Sequence, residues 1–177
     1  MKKRYNNIKN DFYDLCIELA ALSILQTKKT NDIKKARKIA QKTISSGYAL
    51  EKFRKMIEYQ GGNPKVVDNY SLLGKAKKEY IIKADKTGYI NSIKTRQLGI
   101  CSCMLGAGRL KTEDKIDWTA GITLCKKTGD VVKKGDVLAK LFYNKASVEQ
   151  VANVVKDVFK ICTIKPKKIK LIKDIII

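Results

Sequence analysis

Apolar positions in the first third of the chain recur at steps of three and four. Across residues 11–26 they are Phe12, Leu15, Cys16, Leu19 and Leu22, which fall on one face of a helix. Asn10 or Asp11 can cap its start by accepting a hydrogen bond from an unpaired backbone N–H. A second helix is expected from the capping pair Asn31-Asp32 through Ile33, Ala36, Ala40 and Ile44 to Ser45, with Ser46-Gly47 ending it. A third covers 49–59, with Leu50, Phe53 and Ile57 on one side, and Gly61-Gly62 stops it. Three such helices are enough for a small bundle.

Residues 63–78 read as a linker, because Asn63-Pro64 and the Asn and Asp residues that follow disfavour regular structure. Beyond it, short apolar runs are punctuated by glycine and aspartate, which predicts strands joined by tight turns. Residues 79–84 and 88–94 read as a hairpin around Asp85-Lys86-Thr87-Gly88. Thr95 can cap a helix over 96–105, ended by the turn Gly106-Ala107-Gly108. An acidic cluster (Glu113, Asp114, Asp117) leads into an apolar run at 118–125, and GDVVKKGDVL at 129–138 reads as a β-turn-β element. Gly129 and Gly135 would supply the positive φ its turns need. Ser147 starts a last helix, with Gln150 completing an S-x-x-Q capping box. Val148, Val151, Ala152, Val155 and Phe159 form its buried face, and the apolar tail 169–177 suits an edge strand. The fold class that follows is α+β: helices over 1–62, the linker, then a mixed domain over 79–177.

Composition adds constraints. With 44% apolar residues in regular periods, the chain is expected to fold rather than stay disordered. No run of eighteen apolar residues occurs and no apolar segment follows the charged MKKRYNNIKND, so neither a membrane span nor a secretory signal is predicted. The expected compartment is the cytoplasm. A formal charge of +21 invites a nucleic-acid reading. The charge is spread evenly, however: residues 1–62 carry 14 basic and 6 acidic side chains, and residues 63–177 carry 24 and 11. A binding stripe would concentrate it on one element with aromatics interleaved, so the lysine excess favours a compositional origin over a stand-alone nucleic-acid-binding module. Five cysteines at irregular spacing and no histidine supply no zinc ligand set and no Ser-His-Asp or Cys-His nucleophile.

The glycine-rich LGAGRLKT lacks the second glycine of a phosphate loop and follows a helix rather than a strand, so it reads as a structural turn. Arg109 is expected to pair with Asp114 or Asp117 to hold it, and Glu113, Asp114 and Asp117 read as solvated carboxylates rather than general acids or bases. The structural motif thus comprises Gly106, Gly108, Arg109, Asp114, Asp117, Gly129, Asp130 and Gly135.

In order and spacing, LGAGR, EDKID and AGI-L-KK-GD-V-KG-LA resemble the C-terminal domain of the pyrimidine-nucleoside phosphorylases, which include thymidine phosphorylase. SGYALEKFRKMIEYQGGNPKVVDN at 46–69 resembles the segment that the family places just before that domain. The resemblance implies that helices in 1–62 close a central α/β domain whose sheet lies earlier in the family's sequence. It implies a hammerhead-like, barrel-sandwich-related domain over 79–177, and a reaction in which a pyrimidine nucleoside and inorganic phosphate give the base and a pentose 1-phosphate. The family's phosphate, base and metal contacts fall in the half without a counterpart here. No catalytic, substrate-binding or metal-binding residue and no cofactor is therefore assigned. The chain alone is expected to be inactive, as a remnant or as half of an enzyme completed by a separate N-terminal polypeptide. Gly74 stands where the family usually has proline, and Cys125 where it often has histidine. A biotinyl or lipoyl carrier shares the two-halves pattern of GYINSI and GDVVKKGDVL, but no Met-Lys-Met turn occurs here.

Overall fold

A computed structural model describes residues 10–145, 147–167 and 170–175. The chain divides into two compact units, one running to Leu72 and grouped with the described part of the tail, the other spanning Leu73–Lys168.

The first unit holds α1 (Asp11–Gln26), α2 (Ile33–Ser45) and α3 (Tyr48–Tyr59). Of the two candidate caps for α1, Asn10 takes the position, its Oδ1 accepting from the Tyr13 N–H at 2.9 Å. Asp32 caps α2 by accepting from Lys34 N–H at 2.7 Å. Small residues set the α1–α2 spacing: Ala21, Ala36 and Ala40 are buried together with Ile17. A two-pronged ion pair, Arg37 Nε and Nη2 to Glu18 at 2.7 and 2.6 Å, fixes their register. α1 packs on α2 and α2 on α3, yet α1 and α3 share no comparable contact, and α3 buries no residue completely. The three helices therefore make an open layer and not the closed bundle their number allows.

The stretch read as a linker is not extended. It winds into two 3₁₀ turns, Pro64–Val67 and Tyr70–Leu73, and Val67 is buried. Arg54 ties the first turn to α3, donating to both carboxylate oxygens of Asp68 at 2.8 and 3.2 Å.

The second unit runs β1 (Lys78–Lys83), β2 (Gly88–Ile93), α4 (Thr95–Ser102), a π-type turn (Cys103–Ala107), β3 (Gly121–Leu124), β4 (Val131–Val132), β5 (Val137–Tyr143), α5 (Val148–Val158) and β6 (Phe159–Cys162). Its strands form two antiparallel three-stranded sheets, ordered β1-β5-β3 and β4-β2-β6. Among the described residues no strand pairs with its neighbour in sequence. Both hairpins expected from the sequence are thereby corrected: β1 pairs with β5 rather than β2, and β4 pairs with β2 rather than β5. Each expected turn instead carries the chain from one sheet to the other.

Two Gly-Asp steps hold these crossings. The Gly135 N–H donates to the Ala84 carbonyl at 2.8 Å, and the Ala84 N–H donates back to the Asp136 carbonyl at 2.8 Å. In the same way the Gly129 N–H donates to the Ile90 carbonyl at 2.8 Å, and the Ile90 N–H to the Asp130 carbonyl at 2.9 Å. Gly135 (φ 93°) and Gly129 (φ 94°) adopt the left-handed conformation that makes this reciprocal bonding possible, and a Cβ there would be strained.

Helix α5 delivers Val148, Val151, Ala152, Val155 and Val158 to a core shared with Ile82, Ile90, Val132, Leu138, Ala139 and Leu141, closed by Cys101 and Leu105. Full burial of each Val, Leu or Ile contributes about 1.5–3 kcal/mol. Three local expectations are corrected. Phe159 is buried but opens β6 instead of prolonging α5. Ser147 occupies the N-cap position, but its hydroxyl goes to the Glu149 carboxylate at 3.0 Å and no capping box forms. Lys94, not Thr95, precedes the first turn of α4, without a side-chain cap. In the tail, 170–175 contain no strand, and 169, 176 and 177 lie outside the described residues. The architecture is α+β: five α-helices and two small antiparallel sheets among the described residues.

Candidate functional site

The sequence motif at 106–117 folds into a loop braced by its two aspartates. Gly106 (φ 106°) departs from helical geometry inside the π-type turn, and its carbonyl accepts from the Asp117 N–H at 2.8 Å, which closes the loop at its base. A Cβ on Gly108 would stand 2.5 Å from the Cys103 sulfur, so that side chain would have to turn aside to admit one. Asp114 Oδ2 accepts from the backbone N–H groups of Leu110 and Lys111, both at 2.9 Å. Asp117 Oδ1 accepts from Thr119 N–H at 3.0 Å and from the Thr119 hydroxyl at 2.8 Å, while Oδ2 accepts from Asn144 Nδ2. Asn144 follows β5, donates also to Thr119 Oγ1 and accepts from Lys77 N–H at 2.8 Å, so it joins the loop to the start of β1.

These bonds hold the Asp114 carboxyl below its ordinary range through two backbone N–H groups, and that of Asp117 through Asn144 first and Thr119 second. Held in the ionised form, both carboxylates accept the hydrogen bonds that tie the loop's backbone together. The expected pairing of Arg109 with either of them is not present. Arg109 is exposed and forms no ion pair among the described residues, while Asp114 Oδ2 and both Asp117 oxygens accept from backbone N–H groups, Thr119 and Asn144. Glu113 is exposed.

The other members of the motif lie at the sheet crossings. Asp130 Oδ2 accepts from Lys127 N–H at 2.7 Å. Asp136, not singled out from the sequence, accepts from Lys133 N–H and Lys126 Nζ, both at 3.2 Å, and its carboxyl is lowered by these contacts in that order. Its place in a second Gly-Asp step beside the first was the available signal. Cys125 is exposed, and burial pushes the Cys101 thiol up. A groove of about 800 Å³ is lined by Tyr80, Lys83 and Lys86 on the β1 side and by Lys156, Phe159 and Lys160 on the other. The sequence reading missed it because one wall is β6. Among the described residues no group of three Cys, Asp or Glu side chains is placed to hold a metal ion, and no helix is long and apolar enough to cross a membrane.

These residues form a two-sheet α+β domain whose polar side chains brace turns. Comparison with known proteins relates that domain to a family. Residues 89–162 match the family model of the pyrimidine nucleoside phosphorylase C-terminal domain. The chain is 38% identical over 141 residues to the pyrimidine-nucleoside phosphorylases of Staphylococcus haemolyticus (strain JCSC1435) and Staphylococcus aureus (strain USA300), which covers 80% of this chain and 33% of each relative. The chain is similar to the C-terminal portion of this family, and it spans about a third of the length of the relatives it matches. The match favours the phosphorylase reading over a stand-alone nucleic-acid module or a carrier domain.

Proposed function

We propose that the chain acts as the C-terminal portion of a pyrimidine-nucleoside phosphorylase, forming one wall of a cleft in which phosphate displaces the base from the sugar. The observation that carries this reading is the family match over residues 89–162, from within β2 to the end of β6. The reaction requires cationic and hydrogen-bonding groups for phosphate, and groups that stabilise negative charge on the departing base. On this reading they belong to the two thirds of the relatives' length that these 177 residues do not span. The domain's contribution is shape: a rigid wall, with the 106–117 loop fixed by Asp114 and Asp117, against which a cleft closes and excludes water as competing nucleophile. The working compartment is the cytoplasm, where its five unbridged thiols stay reduced.

The test is phosphate-dependent release of thymine or uracil from its nucleoside. The chain is assayed alone and then with a polypeptide covering the first two thirds of the Staphylococcus haemolyticus relative. Activity only in the mixture supports the reading. Turnover by the chain alone would place the chemistry inside it, and a stable but inactive mixture would leave a scaffold without a reaction.

A further inference from the structure

Successive side chains of a strand point to opposite faces of its sheet, so a groove lying on one face meets every second residue. The groove of about 800 Å³ in the second unit does not follow that pattern. Phe159, Lys160, Ile161 and Cys162, the whole of β6, line it, and so do Tyr80, Ile81 and Lys83 of β1. It therefore runs along strand edges. Both strands are terminal in their sheets, β1 bonded only to β5 and β6 only to β2. Each leaves a row of N–H and C=O groups without a ladder partner, which is a template for one more strand. The lining also selects side chains. Alternation puts Phe159 and Ile161 on one face of β6 and Lys160 on the other, and Leu138, buried in the core, joins Phe159 in the lining. Lys83, Lys86, Lys156 and Lys160 stand against Asp85 and Asp157, and none of the four lysines forms an ion pair among the described residues.

We infer that this groove receives an extended acidic peptide from a separate polypeptide, which adds to the free edge of β6 as a fourth strand and sets carboxylates beside the four lysines. At about 3.3 Å per residue β6 covers about 13 Å, so about four residues pair and their neighbours reach the lysines. Backbone bonds supply the affinity, and the alternation of acidic with apolar side chains supplies the selectivity. Charge chooses this occupant. The chain's own tail, 163–177, carries five lysines and one aspartate, so it would meet like charge in the groove. A second copy pairing β6 with β6 would set Lys160 against Lys160 about a two-fold axis. The inference is independent of the phosphorylase reading, because every groove residue lies within Leu73–Lys168 and none is assigned to phosphorolysis.

The experiment titrates the full 177-residue chain into a fluorescein-labelled peptide of alternating glutamate and valine and follows its anisotropy. Two counterparts, N-methylated at every valine or at every glutamate, keep the charge, and each removes the N–H donors of one strand edge. Lys83→Glu and Lys160→Glu reverse one charge on either wall, and Lys115→Glu makes the same change outside the groove. All three positions are exposed, so each variant should keep the circular dichroism of the parent. The plain peptide is expected to bind, and at least one methylated counterpart to bind about tenfold more weakly. Each groove variant should weaken binding about fivefold, and Lys115→Glu by less than about twofold. Absence of binding, equal binding of the plain and both methylated peptides, or a loss at Lys115→Glu as large as at Lys160→Glu overturns the proposal. So does groove-dependent binding of adenosine triphosphate with none of the peptide, since the ligand is then a small anion that ignores the strand edge.

Discussion

Gly88→Ala tests the least expected strand pairing in the domain. A Cβ on Gly88 would lie 2.3 Å from the Cys162 carbonyl oxygen, 2.9 Å from Ile161 Cγ2 and 3.1 Å from the Cys162 carbonyl carbon. The crowded atoms are mostly backbone, so rotation of a side chain gives no relief, and β6 has to withdraw from β2 by about an ångström to reach ordinary contact distance. That movement strains the pairs Tyr89↔Cys162 and Ile90↔Ile161. Overpacking of this kind costs about 1–3 kcal/mol, and a rigid backbone obstacle puts the cost near 3. In a domain the size of Leu73–Lys168, each kcal/mol lowers Tm by about 4–8 °C, so a fall of about 12–24 °C is expected. Differential scanning calorimetry of the full chain measures it. Gly121→Ala in β3 is the control, since nothing lies within 4 Å of its added Cβ. A Gly88→Ala transition within about 2 °C of the parent would refute the seating of β6 on β2.

Leu141→Ala removes a fully buried side chain of β5 and should destabilise by about 2–5 kcal/mol, read as a lower guanidinium midpoint at unchanged slope. Gly99→Ala fills open space within α4 and should stabilise by about 0.5–1 kcal/mol, read as a raised Tm. Asp117 has a folded pKa below its unfolded value, so its bracing is complete above about pH 4 and is lost as pH falls through the lower folded value. Amide exchange at Thr119 should accelerate over that acidic range, and Asp117→Asn should flatten the dependence; a flat profile in the parent would contradict the bracing role.

Periodicity identified the elements far better than it identified their partners. The runs at 79–84, 88–94 and 118–125 contain strands, because apolar alternation and glycine punctuation are local signals. Pairing is decided elsewhere. Ala84 and Ile90 find hydrogen-bonding partners at the Gly-Asp steps far along the chain, and nothing near either residue announces it. Phe159 continued the apolar step of α5, so no local signal stops the helix there; the structure stops it by pairing Ile93 with Phe159 across β2 and β6. The braced loop was legible as a turn, since Gly106 and Gly108 mark it. The identity of its braces was not: charge suggested Arg109, whereas short aspartate side chains reach neighbouring N–H groups more readily. Asn144, which completes the network, stands 27 residues from Asp117 and had no signal of its own.

The absence of any pairing between successive strands has a consequence for biosynthesis. β1 and β2 emerge from the ribosome before any strand they pair with, since β4, β5 and β6 all come later. Neither sheet can begin as a local nucleus, and loop-closure entropy has to be overcome before most of the core forms. The nascent domain therefore waits with Ile82 and Ile90 uncovered until nearly all of it has been synthesised. That interval exposes it to aggregation and to chaperones, and a ribosome stalled anywhere before β5 would hold a chain in which neither β1 nor β3 has a partner.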